Sequence, residues 1–386
     1  MHTPATANPW GIPPWHIEFE PPPATLPKEA DFVVIGAGFT GLAAAAWLRL
    51  LAPDQTVAVL EASRVGAGAS GRTGGMVLAE TAAGDVPGVG DVLPGFTEIL
   101  ARLEVDCDLA WPGAWEIGRS GGAKRSPIEW NDSGKLRVIH EVPGGTLDPG
   151  KLVSGLARAA HRLGAGILEN TRVENIDWSE HPIVRLAHGE LRAGKILFAT
   201  NALSTELSGL AGAEPRLTLA VVSEPFREEQ LREIGLGGRQ PFYTIDFPYL
   251  WGCVRADNSV IWGSGLVVAP RSRNLASIDI ASEDCRRLFA SLETRVRGLH
   301  PALSSTWFTH RWGGPILFRE SWVPVFDWHP ESVKKSTKKS GKTAGTAIVL
   351  GAYAGHGVTL SSYLGAWAAE ALLGRRDLPE WGRIDR

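Results

Sequence analysis

Apolar residues in this chain of 386 fall into three patterns: short unbroken runs, alternating runs, and runs spaced three and four apart. Each pattern points to a different element. Phe32 to Ile35 reads as a short buried strand, Gly36 to Gly41 as a turn, and Leu42 to Leu51 as an Ala/Leu-rich helix. Pro53-Asp54 turns the chain, and Thr56 to Glu61 reads as the next parallel strand, which completes a βαβ unit of about thirty residues.

Beyond it, residues 66–75 form a second Gly-rich loop, GAGASGRTGG, and Asp91 to Asp106 is an amphipathic, helical segment. Short strand-like runs alternate with turn residues from Trp111 to Glu141. Asp148-Pro149-Gly150 starts a helix over KLVSGLARAAHRLG, which a glycine stops. GILEN, RVENIDW, IVRLAH and KILFATNA then read as successive strands, a return to the first sheet with a small meander. Residues 216–268 are strand-rich and aromatic, with Asp257-Asn258 as a hairpin turn, and Ile278 to Arg297 reads as one long helix. The chain closes with strand AIVLGAY, turn AGHG and helix VTLSSYLGAWAAEALLG. Residues 1–29 are a Pro-rich extension with Trp10 and Trp15, either laid over the body or loosely held.

Composition narrows the class. Hydrophobic residues at 44% and charged residues at 21% describe a core-forming chain and exclude disorder. A net charge of −3 gives no drive toward nucleic acid or an anionic membrane. The Lys334–Lys342 run, with five lysines, reads as a solvated loop. Cys107, Cys253 and Cys285 are too few and too scattered for a disulfide framework or a zinc cage, so no metal is expected and a reducing, cytoplasmic setting fits. The most apolar run, GLAAAAWLRLLA, is broken by Arg49 and ended by Pro53, which excludes a membrane span. The first fifteen residues lack the basic-then-apolar pattern of a signal peptide. Forty-five glycines and fifteen tryptophans suggest close backbone approach and broad flat surfaces.

The glycines carry the chemistry. Gly36, Gly38 and Gly41 make a G-x-G-x-x-G between an apolar strand and a small-residue helix, the context a dinucleotide fingerprint requires. Gly36 permits the tight turn, Gly38 lets backbone approach a pyrophosphate, and Gly41 lets the helix pack close on the strand. The N–H groups at the helix start then face the phosphates. Glu61, twenty residues after Gly41, can accept both ribose hydroxyls, which disfavours NADP. NAD and FAD share this half. The loop with glycines at 66, 68, 71, 74 and 75 suits a longer cofactor wrapped beyond its pyrophosphate, and its alternative is a plain flexible loop. Gly355-His356-Gly357, at a strand end and a helix start, would aim a positive dipole end at the N1–C2=O edge of a flavin. His356 either adds to that or only packs.

VVIGAGFTGL, VLEA followed by VGAGASGRTGG, LDPGKLVSGLARAA with NTRVENI, LFATNA, HRWGG and GAYAGHGV together resemble the glycine/D-amino-acid oxidase-like (DAO) family of FAD enzymes. They run from residue 31 to about 374, nearly the whole chain, and the GASGR-x-GG and W-G-G elements are most similar to the γ-glutamylputrescine oxidase branch. The resemblance implies an α/β fold: an FAD/NAD(P)-binding Rossmann-like domain of glutathione-reductase type, with a second α+β substrate domain whose antiparallel sheet roofs the flavin. It divides the chain into an FAD-binding part at 30–105, 147–212 and 343–380 and a substrate part at 106–146 and 213–342. By resemblance, Gly36, Gly38, Phe39, Thr40 and Gly41 hold the pyrophosphate and Glu61 the adenosine ribose. Ala62, Ser63 and the Val173 backbone lie near the adenine. Ser70, Gly71, Arg72, Thr73, Gly74, Gly75 and Met76 line the phosphates and flavin ring, and Gly355, His356, Gly357 and Val358 meet the pyrimidine edge.

Departures lie mostly on the substrate side. Thr73 and Met76 stand where relatives often carry Asn and Gln. PILFRESWVP offers Glu320 or Ser321 near a usual acidic position, and Trp251 and Cys253 replace an aromatic–Arg pair that would clamp a carboxylate. No cysteine follows Cys285, so the FAD is expected to be non-covalent. The expected reaction is oxidation of the C–N bond of an amine or amino-acid-like substrate, with oxygen or another electron acceptor downstream. Tyr249 and Trp251 are candidates for the aromatic wall over the substrate, or else ordinary sheet core. Arg72, His310 and Arg311 are cations that could sit near the flavin, Arg72 with the alternative of bracing its loop. A flavin-binding non-catalytic subunit, a tRNA-modifying flavoenzyme of the same fold and an NAD-dependent dehydrogenase are the competing readings.

Overall fold

The computed structural model describes residues 9–119, 126–210, 212–270, 274–334 and 345–384. The opening unit is β1 (Glu29–Ile35), α1 (Phe39–Leu51) and β2 (Val57–Leu60), with the two strands parallel and in direct register. The helix begins at Phe39, three residues ahead of the predicted Leu42. Gly36, at φ +107°, completes the turn alone, so Gly38 already serves as N-cap and the rest of the fingerprint is helical. Every residue of α1 from Phe39 to Leu48 is buried. Its alanines allow contact with two other helices, Pro149–Arg162 and Gly357–Leu372.

The first sheet runs in the order Val325–Trp328, Ala347–Gly351, Gly189–Phe198, Glu29–Ile35, Val57–Leu60, Gly166–Leu168. Its inner neighbours are parallel, Val325–Trp328 is an antiparallel edge, and Val173–Asp177 with Ile183–Leu186 forms the predicted meander. The edge strand at 325–328 thus joins the first sheet, although the sequence reading placed 213–342 in the substrate part. Parallel strands buried on both faces read as continuous Val/Ile/Leu runs, and the four residues of β2 are all buried. The second sheet is antiparallel but for one pair. It follows the order Phe308–Phe318, Glu214–Ser223, Val260–Val268, Leu250–Val254, Phe242–Thr244, Ala114–Gly118, Lys135–Val142, Trp130–Asn131. The hairpin Leu250–Val254 to Val260–Val268 turns through Asp257-Asn258, as predicted, with Asn258 at φ 67°. Trp130, Phe242 and Trp262 pack ring to ring in its core.

One helix differs from expectation. The segment predicted as continuous from Ile278 begins at Glu283 and runs to Leu299. Ser282 accepts the Cys285 N–H and caps it, and Asn274 caps a separate turn at Leu275–Ser277. Two competing caps break what periodicity alone joins. Within the N-terminal extension, Trp10 and Trp15 are buried against the body. The predicted lysine loop, Lys334 apart, lies outside the described residues. Among the described residues, no helix is long and apolar enough to cross a membrane, and no group of His, Cys, Asp and Glu could hold a metal.

Candidate active site

A cleft of about 1710 Å³ opens between the carboxyl ends of the parallel strands and the face of the second sheet. In open α/β folds that crevice is where ligands bind. The volume exceeds what a drug-sized ligand needs and suits an extended dinucleotide.

Seventeen of the expected cofactor residues line it: Gly36, Gly38, Phe39, Thr40, Glu61, Ala62, Ser63, Ser70, Arg72, Thr73, Gly74, Met76, Val173, Gly355, His356, Gly357 and Val358. Gly41, Gly71 and Gly75 do not; they allow backbones to touch. A Cβ on Gly41 would lie 1.9 Å from the Gly36 carbonyl oxygen, one on Gly71 2.4 Å from that of Gly66, and one on Gly75 2.2 Å from that of Leu147. These glycines shape the wall from behind.

At the expected nucleotide end, the N-cap residue of α1, Gly38, has no side chain to cap the helix, and Ser70 Oγ accepts the Phe39 N–H at 2.9 Å. Thr40 Oγ1 and the buried Tyr353 hydroxyl are 2.8 Å apart, which ties α1 to the strand end Ala347–Gly351 just before the second Gly turn. Glu61 accepts N–H groups from Ala37 at 2.9 Å and Ser63 at 2.8 Å. Burial raises its pKa above the usual carboxylate value, and the two N–H bonds oppose that shift. Each carboxylate oxygen accepts one N–H and keeps capacity for a second bond, and Glu61 lines the cleft, which suits it to accept ribose hydroxyls.

The far end of the crevice meets a second helix N-terminus. His356 is the N-cap of Gly357–Leu372, its Nδ1 is buried without a hydrogen-bond partner, and burial lowers its pKa so that the neutral ring dominates at pH 7. Gly355, at φ +97°, leaves open space in front of its α-carbon, with only Ile316 Cδ1 at 3.9 Å. Two helix N-termini in one cleft, an orphan ring nitrogen and a carboxylate with spare lone pairs are the donor and acceptor set that FAD demands.

Tyr249 and Trp251 also line the cleft. The Trp251 ring lies on Gly74 and Gly263, where added Cβ atoms would sit 2.3 and 2.1 Å from it. Cys253 beside it donates its thiol to the Gly74 carbonyl at 3.1 Å, and burial pushes its pKa up to about 12, so it stays protonated. Arg72 braces: its guanidinium donates to the carbonyls of Trp10, Gly11 and Gly313 at 3.0–3.1 Å. His310 and Arg311 do not reach the cleft, a correction to the sequence reading. Both lie on the exposed part of Phe308–Phe318, and Arg311 Nε donates to Glu293 at 2.6 Å.

Sequence reasoning missed three features. Tyr243, which donates its hydroxyl to Glu116 at 2.8 Å, lines the cleft with Glu80. Glu80 is half-buried, and burial together with Glu116 and Asp85 raises its pKa. Their partners lie on distant strands, so no local signal marks them. Asn201 accepts the Ala352 N–H at 2.9 Å and adopts φ 46°; the LFATNA motif contained it but gave it no role. Trp10, from the Pro-rich lead, is the third.

Fold and site together define a dinucleotide-binding flavoenzyme. The chain belongs to the DAO family of FAD-dependent oxidoreductases, whose description matches residues 31–371. It is similar to gamma-glutamylputrescine oxidoreductase of Escherichia coli, 26% identical over 394 residues, covering 89% of this chain and 84% of the relative. In fold it is similar to glycine oxidase from Geobacillus kaustophilus, with a TM-score of 0.69 at 17% identity, covering 91% of this chain and 96% of that one. L-proline dehydrogenase from P. horikoshii gives a TM-score of 0.69 at 18% identity, with 92% and 97% covered.

Proposed function

We propose that the chain holds FAD non-covalently along this cleft and oxidises the C–N bond of an amine or amino-acid-like substrate, releasing an imine that water hydrolyses. The observation that carries this reading is the convergence of two helix N-termini, the Glu61 carboxylate and an aromatic wall on one crevice. FAD held there would supply the acceptor for the substrate's hydride.

The protein's work is placement and charge. The N-terminus of α1, with Gly36 and Gly38, faces the pyrophosphate, and Glu61 takes the ribose. The N-terminus of Gly357–Leu372, with the neutral His356 ring, stabilises negative charge at the pyrimidine edge. Tyr249 and Trp251 exclude water and orient the substrate. No strong base is needed when the amine arrives unprotonated. Non-covalent attachment is supported by the cysteines: Cys107, Cys253 and Cys285 are all buried and, among the described residues, none lines the cleft.

The charged groups beside the aromatic wall favour an amine over a free α-amino acid. Among the described residues there, Glu80 makes no hydrogen bond, and Arg72 Nη1 is engaged by three main-chain carbonyls. The relative named for γ-glutamylputrescine points the same way. The test is an anaerobic visible spectrum of the purified protein before and after pooled primary and secondary amines. Flavin bands that bleach, then recover in air or with an artificial acceptor, support the reading and identify the acceptor class. Bands that never bleach favour a flavin-binding subunit, and a colourless chain that takes up no FAD sinks the proposal.

A further inference from the structure

The Pro-rich lead that precedes β1 converges on the cleft from outside both sheets. Trp10 lines the cleft, and its indole N–H donates to Leu275 O at 3.2 Å. The Trp10 carbonyl accepts both the Gly313 N–H, at 2.8 Å, and Arg72 Nη1, at 3.1 Å. Gly11 pairs with Trp312 as an isolated bridge, and its carbonyl takes a second bond from Arg72 Nη1 at 3.0 Å. Trp15 donates its indole N–H to Gly71 O at 2.8 Å, and Trp312 donates its own to Arg72 O at 3.0 Å. The two indoles meet edge to face, with centroids 5.5 Å apart. Arg72 Nε reaches Ala67 O at 3.4 Å.

Two chain segments far apart in sequence, 10–15 and 312–313, thus meet on one short turn, Ser70–Arg72. Both of that turn's last two carbonyls are held by tryptophan N–H groups from outside it, and its arginine is held by carbonyls from outside it. Arg72 is buried, and among the described residues no carboxylate pairs with it. Removing a charge from water without a counter-charge is costly. Main-chain carbonyls offset part of that cost, and an anionic ligand in the same cleft would offset more.

We infer that residues 9–15 are a working part of the cofactor site. Through Arg72 and Trp15 they hold the Ser70–Arg72 turn in the shape that receives FAD, which makes Arg72, Trp10 and Trp15 positioning residues. This rests on the placement of FAD proposed above.

The experiment compares how fast the purified holoprotein releases FAD, read as recovered flavin fluorescence after dilution, alongside its visible circular dichroism and its melting temperature. Trp15→Phe keeps an aromatic ring near Trp312 and removes the N–H to Gly71 together with part of the indole's packing, a loss that the control shares. Trp130→Phe is the matched control: it loses an indole N–H bond of 2.9 Å to Ile234 O, in the core of the second sheet away from the cleft. One hydrogen bond is worth roughly three- to tenfold in an equilibrium. Trp15→Phe should therefore release FAD about three- to tenfold faster and alter the flavin dichroism. Arg72→Met, which removes every donor that Nη1 offers the three carbonyls and leaves them unpaired, should exceed about thirtyfold. Trp130→Phe should lower the melting temperature without touching release or dichroism. If Trp15→Phe releases FAD at the parent rate, or if both tryptophan variants speed release alike, the lead is only a stability element. A parent chain that carries no FAD overturns the placement of the cofactor, and this inference with it.

Discussion

The two ends of the cleft are built from different materials. At the nucleotide end the contacts are backbone: N–H groups of α1, glycines at which a Cβ would collide, and one carboxylate held by two main-chain N–H groups. At the substrate end they are side chains, Tyr243, Tyr249, Trp251 and Glu80, delivered by strands of the second sheet and by the chain following Met76–Leu78. A backbone site tolerates few residue types at each position, because the chain path itself is the ligand. A side-chain site can be refitted one residue at a time. On the proposed placement of FAD, the backbone-built end would hold the cofactor and the side-chain end would select what is oxidised.

The harshest way to break this contrast is at Gly41. A methyl group there would lie 1.9 Å from Gly36 O and 3.0 Å from Val34 Cγ1, and neither backbone can retreat without parting α1 from β1. Gly41→Ala should lose FAD altogether and destabilise the fold by about 3 kcal/mol or more, beyond the usual cost of overpacking. Absorbance of bound flavin in the purified variant and chemical unfolding check it. Retained flavin at normal stability would mean that the helix is not held at this contact.

Glu61 comes next and carries a pH signature. Its folded pKa is raised, by burial first, above the ordinary 4.5. The sign follows from which form each process needs. If ribose hydroxyls donate to the carboxylate, as proposed, FAD binding should be strong above the raised pKa and should be lost as pH falls through it. For the apoprotein the dependence is opposite: native Glu61 binds its proton more tightly than the unfolded chain does, so this group's contribution to stability declines as pH rises through the same window. Glu61→Gln should weaken FAD about ten- to hundredfold, the worth of hydrogen bonds to a charged group. It should also flatten both profiles. Titrations of FAD affinity and of melting temperature against pH would reveal a variant that keeps the parent's slopes, the outcome that breaks the assignment.

The same contrast explains what the sequence made legible. Gly36, Gly38 and Glu61 are separated by distances that chain geometry sets, so a local motif suffices to find them. The second Gly-rich loop and Gly355-His356-Gly357 are found in the same way. Tyr243 meets Glu116 across 127 residues through the register of a sheet, and Arg72 meets Gly313 across 241 residues where a turn seats on a strand; no local pattern encodes either. Arg311 shows the converse: adjacent to Trp312, which touches the loop, it points to the other face of its strand and pairs with Glu293. A one-residue step in a strand separates a site residue from a surface one. The start of the helix at Glu283 was illegible for a smaller reason, two capping residues eight positions apart within one amphipathic stretch.

At the substrate end, effects should be smaller and should spare the cofactor. Trp251→Phe leaves an aromatic face but withdraws part of a ring that rests on Gly74 and Gly263. Catalytic efficiency, kcat/KM, toward the best amine should fall about tenfold, the order of a partial loss of packing area, with FAD content unchanged. A variant that lost its flavin instead would show that the two ends are not separable.

Glu80→Gln is the finest test. The carboxylate is half-buried, makes no hydrogen bond among the described residues, and sits in the negative field of Glu116 and Asp85, which with burial raises its pKa. A cationic group on a substrate would relieve that field; a carboxylate would add to it. Removing one such charge should raise KM for an amine that retains a positive group by about threefold to tenfold, in the range of a partly exposed ion pair, while kcat stays near the parent value. For a substrate with a free carboxylate the same change should lower KM. The ratio of the two KM values therefore reports the sign of charge this wall accepts, independently of how fast either compound is oxidised. A ratio that Glu80→Gln does not move would remove the electrostatic argument for an amine and leave the aromatic wall as the sole source of selectivity.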